Sequence, residues 1–178
     1  MPGLRDTRWR IEHAQHLHPI DVPRFARLGV IASMQGVHAS SDGPWVPKRL
    51  GEPRAGERTY VWRSLIDSGA LVSNGTDVPV EDIDPLASFR ASVTREMVNG
   101  QRFHPEQNMT RQEALASYTW NNAYAGFEED LKGSLAPGKL ADFVVLDRDI
   151  LRVPDAELAS AQVLHTVLAG RVVYSRAP

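Results

Sequence analysis

The chain has 178 residues, enough for one domain with a small appendage, and its 42% apolar and 24% charged content excludes disordered and fibrous proteins. Its formal net charge of −2, with acids and bases interleaved, gives no reason to expect nucleic acid or an anionic membrane as a partner. The absence of cysteine excludes disulfides, thiolate metal sites and cysteine nucleophiles.

Short apolar segments separated by helical patterns predict parallel strands in the first half of the chain. They cover residues 9–13, 30–34 and 71–76. A helix is predicted over residues 20–28, ended by Gly29, and another over residues 61–67. The polar segment 36–58, rich in glycine, proline and serine, is predicted to be a long loop, either functional or disordered.

Two further helices are predicted after the third strand. The first begins at Asp84 and Pro85, a favourable cap followed by a proline in the first turn. Its apolar side chains, at spacings of three and four, are Leu86, Phe89, Val93 and Met97. The second begins at Thr110, where Glu113 completes a capping-box pattern, and runs through Tyr118. Strands alternating with helices indicate right-handed parallel crossovers, hence an α/β fold.

The composition changes near residue 132, where we place a domain boundary. Turn-forming residues occupy 133–138, and a strand is predicted over 141–146. Two more strands, 163–169 and 172–174, flank a predicted turn at Gly170 and Arg171. Residues 133–178 therefore form a small antiparallel β element after an α/β part over residues 1–132.

His13 is the first candidate for metal chemistry, because it lies at the end of a predicted strand. Strand alternation places Trp9, Ile11 and His13 on one face. In a parallel barrel the carboxyl ends of the strands carry the reacting groups, and a neutral imidazole there can bind a metal ion. The alternative is a hydrogen-bonded structural histidine.

Asp77 is the second candidate and shares one face of its strand with Ser73 and Gly75. A carboxylate at a strand end can bind a cation and accept a proton from water, and the alternative is a turn or helix cap. His13 and Asp77 lie 64 residues apart with one predicted strand between them. This matches two units of the roughly 31 residues that an eight-unit barrel uses per unit.

Three polar residues follow the second predicted strand: Gln35 at its end, then His38 and Asp42 in the loop. Loops at this edge of a barrel form substrate walls, so all three are candidates for substrate binding, although a solvated loop remains the alternative. The other histidines lack ligand-type neighbours and are assigned to loops or structural roles: His16, His18, His104 and His165.

In combination, four segments resemble one known family. Residues 10–15 are similar to the sixth-strand motif of the amidohydrolase superfamily, residues 29–35 to its seventh strand and residues 76–81 to its eighth. Residues 133–142 resemble the return from the barrel to its accessory domain. The chain thus resembles amidohydrolase family 3, the group with N-substituted formamide deformylase-like enzymes, in its C-terminal part only.

The resemblance implies a fold and a function. Residues 1–132 would be about strands six to eight of a (β/α)8 barrel, and residues 133–178 the C-terminal part of a small β-sandwich. His13 and Asp77 would bind a divalent metal ion, zinc, with Asp77 also the catalytic base. No further cofactor is expected. The substrate would be a small amide-type molecule with a non-peptide C–N bond.

The resemblance also shows what the chain lacks. The family's first-strand HxH, its fourth-strand lysine and its fifth-strand histidine have no counterpart, whereas a catalytic zinc usually has about three protein ligands. We therefore expect little activity from the isolated chain, and two open edges on its parallel sheet. Three interpretations stay open: a fragment of a longer hydrolase, a self-associating non-catalytic module, and a half complemented by another chain.

The sequence also bears on location. No apolar run approaches the roughly 20 residues of a membrane helix, and the first residues lack the apolar stretch of a signal peptide. Together with the absence of cysteine, this predicts a cytoplasmic protein.

Overall fold

A computed structural model describes residues 6–177, and its first sheet has three parallel strands in the order β1-β2-β3. The strands are β1 (Arg10–Glu12), β2 (Ile31–Gln35) and β3 (Val72–Gly75). Arg10 pairs with Ile31, and Ala32 pairs with Val72. The predicted parallel strands are confirmed, with ends that differ by one or two residues. Because they are parallel, their carboxyl ends meet at one edge.

Between β1 and β2 lies the predicted helix, α1 (Val22–Leu28), which ends at left-handed Gly29. The predicted loop over residues 36–58 is wrong, because this segment forms three short helices. These are α2 (Gly36–Asp42), α3 (Val46–Leu50) and α4 (Glu52–Arg58). The prolines that suggested a loop stand in the first turns of α3 and α4, where a missing N–H costs nothing.

Five elements follow in the α/β part, and two of them, the helices after Asp84 and Thr110, start where capping residues predict them. They are α5 (Trp62–Asp67), α6 (Pro85–Thr94), a 3₁₀ turn (Pro105–Gln107), α7 (Arg111–Tyr118) and α8 (Trp120–Ala125). Asp84 accepts a hydrogen bond from the Leu86 N–H, and Thr110 forms the predicted capping box. Met97 lies beyond α6, because Arg95 is left-handed and ends the helix.

Helix α8 was not predicted, and it covers the outer edge of β3. The Asn121 side-chain amide donates to the Val72 carbonyl at 2.8 Å, and that of Asn122 donates to the Asn74 carbonyl at 2.9 Å. These carbonyls belong to the strand edge away from β2. The expectation of two open edges is therefore wrong for β3, whereas all three residues of β1 are exposed.

The second sheet is antiparallel, in the order β4-β5-β6. Its strands are β4 (Phe143–Leu146), β5 (Val163–Leu168) and β6 (Arg171–Ser175). The turn between β5 and β6 lies at Ala169 and Gly170, one residue earlier than predicted, and both have positive φ, as a type I′ hairpin turn requires.

Helix α9 (Asp155–Leu158) lies between β4 and β5 and connects this antiparallel sheet to the α/β core. Ile150 and Leu158 are buried in the same apolar cluster as Trp62 and Phe89. The domain boundary near residue 132 remains a prediction. Within residues 6–177, no helix has the length and apolar content needed to span a membrane.

Candidate metal centre

One side chain from the carboxyl end of each parallel strand enters a single cluster, which we call the His–His–Asp cluster: His13, His38 and Asp77. His38 Nε2 lies 3.6 Å from Asp77 Oδ2, and His13 Nδ1 lies 3.8 Å from the same oxygen. One potential ligand atom from each residue lies within 4.8 Å of the others. The side chains differ in exposure: 10% for His38, 31% for Asp77 and 50% for His13.

The backbone at two of these residues is unusual. His13 has φ +64° and Asp77 has φ +60°, both in the left-handed region that non-glycine residues rarely adopt. Such conformations cost about 1–3 kcal/mol and concentrate at functional sites. Since β1 ends at Glu12, strand alternation does not determine the direction of His13. The ring contacts the side chain of Gln35, and His13 Nδ1 lies 3.0 Å from Gln35 Oε1.

His38 lies in the first turn of α2, whose start is fixed by distant residues. The Gly36 N–H donates to Asn74 Oδ1 at 2.9 Å, and the Val37 N–H donates to Ser88 Oγ at 3.0 Å. A Cβ at position 36 would lie 2.1 Å from Ser92 Oγ, so only glycine fits this close approach. These contacts place His38 directly above the end of β2.

The cluster has the donors and spacing that a divalent cation needs. Zinc bonds of about 2.0–2.1 Å in a tetrahedron place ligand atoms roughly 3.3 Å apart. This is close to the 3.6 Å between His38 Nε2 and Asp77 Oδ2. Two imidazoles and a carboxylate are among its preferred donors. Within the described chain, His38 Nε2 is buried and lacks a hydrogen-bond partner. Leaving such an atom unsatisfied costs about 1–3 kcal/mol, which a bound cation would remove.

The structure gives the three predicted substrate-binding residues different surroundings. His38 joins the His–His–Asp cluster, and Gln35 contacts His13. Asp42, the last residue of α2, accepts a hydrogen bond from the Tyr60 hydroxyl at 2.5 Å and one from the Gln15 amide at 2.8 Å. Burial and then the Asp42 carboxylate raise the pKa of Tyr60, so its hydroxyl stays protonated and donates.

A second polar group lies on the strand next to the cluster. Glu12 accepts hydrogen bonds from Ser33 at 2.6 Å and from Arg10 at 2.5 Å. Burial raises the pKa of Glu12, but these hydrogen bonds outweigh it, and the resulting pKa is lower than usual. Ser33 and Arg10 therefore hold the Glu12 carboxylate in its charged form.

His13 and Asp77 are predicted as metal ligands from the sequence, whereas His38 is predicted only as a substrate-binding residue. The available signal was its position shortly after a strand. His38 follows β2 by three residues, as His13 follows β1 by one and Asp77 follows β3 by two. Predicting the segment as loop hid this signal. The hydrogen-bonding roles of Tyr60 and Gln15 have no local sequence pattern at all.

Comparison with known proteins identifies the family. Its profile, described as the amidohydrolase family, matches residues 2–174. The chain is 40% identical over 173 residues to "Protein LONG AFTER FAR-RED 3" of Arabidopsis thaliana, covering 97% of this chain and 30% of that protein. It is 33% identical over 171 residues to "N-substituted formamide deformylase" of Arthrobacter pascens, covering 96% of this chain and 32% of that enzyme.

A solved structure, an uncharacterized metal-dependent hydrolase from Pyrococcus horikoshii OT3, superimposes with a TM-score of 0.74 at 30% identity. The match covers 85% of this chain and 31% of that one. The chain thus spans about a third of the length of the proteins it matches. Since the family profile covers nearly all of its residues, the chain belongs to the amidohydrolase family.

Proposed function

We propose that the chain carries the metal centre of a hydrolase that cleaves non-peptide C–N bonds in small amides or formamides. The observation that carries the proposal is the His–His–Asp cluster, formed where three parallel strands end. We assign the first sheet to strands six to eight of a (β/α)8 barrel, because active sites of such barrels lie at this edge. The formamide class is suggested by the name of the Arthrobacter relative.

In this proposal His13, His38 and Asp77 hold a divalent cation, with zinc the ion that the donor set favours. When bound, such a cation polarises the scissile carbonyl and acidifies water. Asp77 is the base: it accepts a proton from the attacking water and returns it to the departing nitrogen. His38 closes the buried side of the cluster, while half-exposed His13 faces the side from which substrate enters.

Metal content and turnover test the proposal together. Purified chain would be loaded with zinc, analysed for bound metal, and assayed against N-substituted formamides and simple amides. We expect one tightly bound ion, lost in His13→Ala, and a low turnover by the chain that disappears in Asp77→Asn. His165→Ala is the control, because His165 lies on β5 and contacts Ser175. No bound metal in the wild-type chain, or equal turnover in Asp77→Asn, would refute the proposal.

A second candidate is a complementing half, in which the cluster becomes active only when another polypeptide supplies more strands. The position of β1 at the edge of the sheet, with all its residues exposed, favours it, because an edge strand can accept a neighbour. Co-expression with the remaining strands of a homologous barrel would distinguish the two. Turnover that appears only in the co-purified complex supports complementation, and turnover by the chain alone excludes it.

A further inference from the structure

We infer that Asp42 is a positioning residue that fixes the separation of the two histidines in the His–His–Asp cluster. The inference rests on the proposed metal centre, but its evidence is a separate hydrogen-bond network. Asp42 was predicted to contact substrate. Its Oδ2 atom, however, already accepts hydrogen bonds from Tyr60 and Gln15, which leaves that oxygen little capacity for another donor.

Each partner of Asp42 belongs to a different part of the site. Gln15 lies two residues after His13, and Asp42 ends the helix in which His38 occupies the first turn. The hydrogen bond between Gln15 and Asp42 therefore joins the two histidine-bearing segments directly. At the neighbouring position Ser41 donates to Glu81 at 2.5 Å, which joins the same helix to the segment that follows Asp77.

Tyr60 anchors this network to the core. Its ring is buried, its N–H donates to the Gln15 carbonyl at 2.9 Å, and its carbonyl accepts from the buried Arg95 at 2.9 Å. An antiparallel bridge between His16 and Thr59 continues the pairing. The segment after His13 is thus held by Tyr60 on one side and by Asp42 on the other, and the Gln15–Asp42 hydrogen bond connects it to the helix of His38.

The network matters because the rings of His13 and His38 must face one ion together. Their centroids lie 6.0 Å apart, with an angle of 20° between the ring planes. No direct hydrogen bond joins them among the described contacts, and His13 is half exposed. Residues that orient metal ligands from behind typically alter metal affinity about 10–100-fold when they are removed. Losing Asp42 would let the His13 segment move away from α2.

Zinc affinity and a metal-free contact measurement test this role on the full chain. Competition titration gives the affinity, and NMR cross-peaks between the two imidazole rings report their separation without metal. We expect Asp42→Ala to weaken zinc binding about 10–100-fold and to remove the cross-peaks. Asp42→Asn should retain most of both, because its amide oxygen still accepts from Tyr60 and Gln15. If Asp42→Ala does not fold, Tyr60→Phe, which removes one of the two donors, should give an intermediate loss.

Asp147→Ala is the matched control, since Asp147 also accepts hydrogen bonds from a side chain, Arg148, and a backbone N–H, that of Gln162, but in the small β part. Unchanged affinity and cross-peaks in Asp42→Ala would overturn the inference, and so would equal losses in Asp147→Ala. If the wild-type chain binds no zinc, the proposed metal centre fails. Cross-peaks lost in Asp42→Ala but kept in Asp42→Asn and Asp147→Ala would still support the positioning role.

Discussion

The Nε2 atom of His38 lies 3.6 Å from Oδ2 of Asp77, although the two residues are 39 positions apart and belong to different βα units. His38 is the most buried member of the cluster, and its Nε2 has no hydrogen-bond partner within the described chain. The two atoms are too far apart for a hydrogen bond with each other. A metal ion placed between them could bind both the nitrogen and the carboxylate oxygen. This relationship makes His38 the third ligand of the proposed centre.

His38→Ala should therefore weaken zinc binding as strongly as His13→Ala does. The ligand is removed while the start of α2 stays fixed by Asn74 and Ser88, so the fold should survive. Competition titration with a chromogenic chelator, with circular dichroism to confirm folding, measures the effect. His104→Ala is a suitable control, because His104 contacts Glu106. Wild-type affinity in His38→Ala would reduce the site to two protein ligands.

Gln35 provides a second prediction, because its Oε1 lies 3.0 Å from His13 Nδ1. The contact restrains the orientation of the His13 ring. Because Nδ1 donates to Gln35, Nε2 is the nitrogen that His13 offers to an ion, and Gln35→Ala should weaken metal binding by about tenfold or more, as loss of a residue behind a ligand does. If Gln35 instead binds substrate, as its position at a strand end predicted, the zinc titration would be unchanged and only the Michaelis constant would rise.

The sequence predicts the parts of the site that depend on strand ends and misses the parts that depend on distant partners. His13 and Asp77 follow apolar strands, so local patterns place them. Helix α2 starts with hydrogen bonds to Asn74 and Ser88, which lie 38 and 51 residues from their partners. No local pattern encodes such caps, and the prolines and glycines of this segment therefore suggested a loop.

The outer edge of β3 gives a third prediction. Asn121 and Asn122 donate to the Val72 and Asn74 carbonyls, and each bond contributes about 1 kcal/mol. Asn121→Ala combined with Asn122→Ala should lower the free energy of unfolding by about 2 kcal/mol, measured by urea denaturation. Replacing both with aspartate should be worse, because a carboxylate cannot donate and would face two carbonyl oxygens. Asn99→Ala, which removes a local contact with Gln101, is the control. A stability loss no larger than that of the control would show that α8 does not secure this edge.

The ion pair of Arg63 and Glu113 predicts a defined acid dependence of stability. The Arg63 hydrogen bond, aided by the capping-box bond with Thr110, lowers the pKa of Glu113 to about 2. An unfolded glutamate has a pKa of about 4.3, so the folded chain holds this carboxylate charged where the unfolded chain protonates it. The stabilisation is fully present above about pH 4.3 and is lost as the pH falls towards about 2.

Glu113→Gln tests this contribution, because the amide keeps an oxygen for the Thr110 N–H but loses the charge and one of the two oxygens that accept from Arg63. At pH 7 the variant should be less stable by about 0.2–1 kcal/mol, since the pair is partly exposed. Thermal melts between pH 7 and pH 2 should show this gap closing as Glu113 of the wild-type chain takes up its proton. Asp67→Asn removes the other, more exposed carboxylate partner of Arg63 and serves as the control. A gap that stays constant down to pH 2 would mean that the stability of α7 depends on the capping geometry and not on the charge of Glu113.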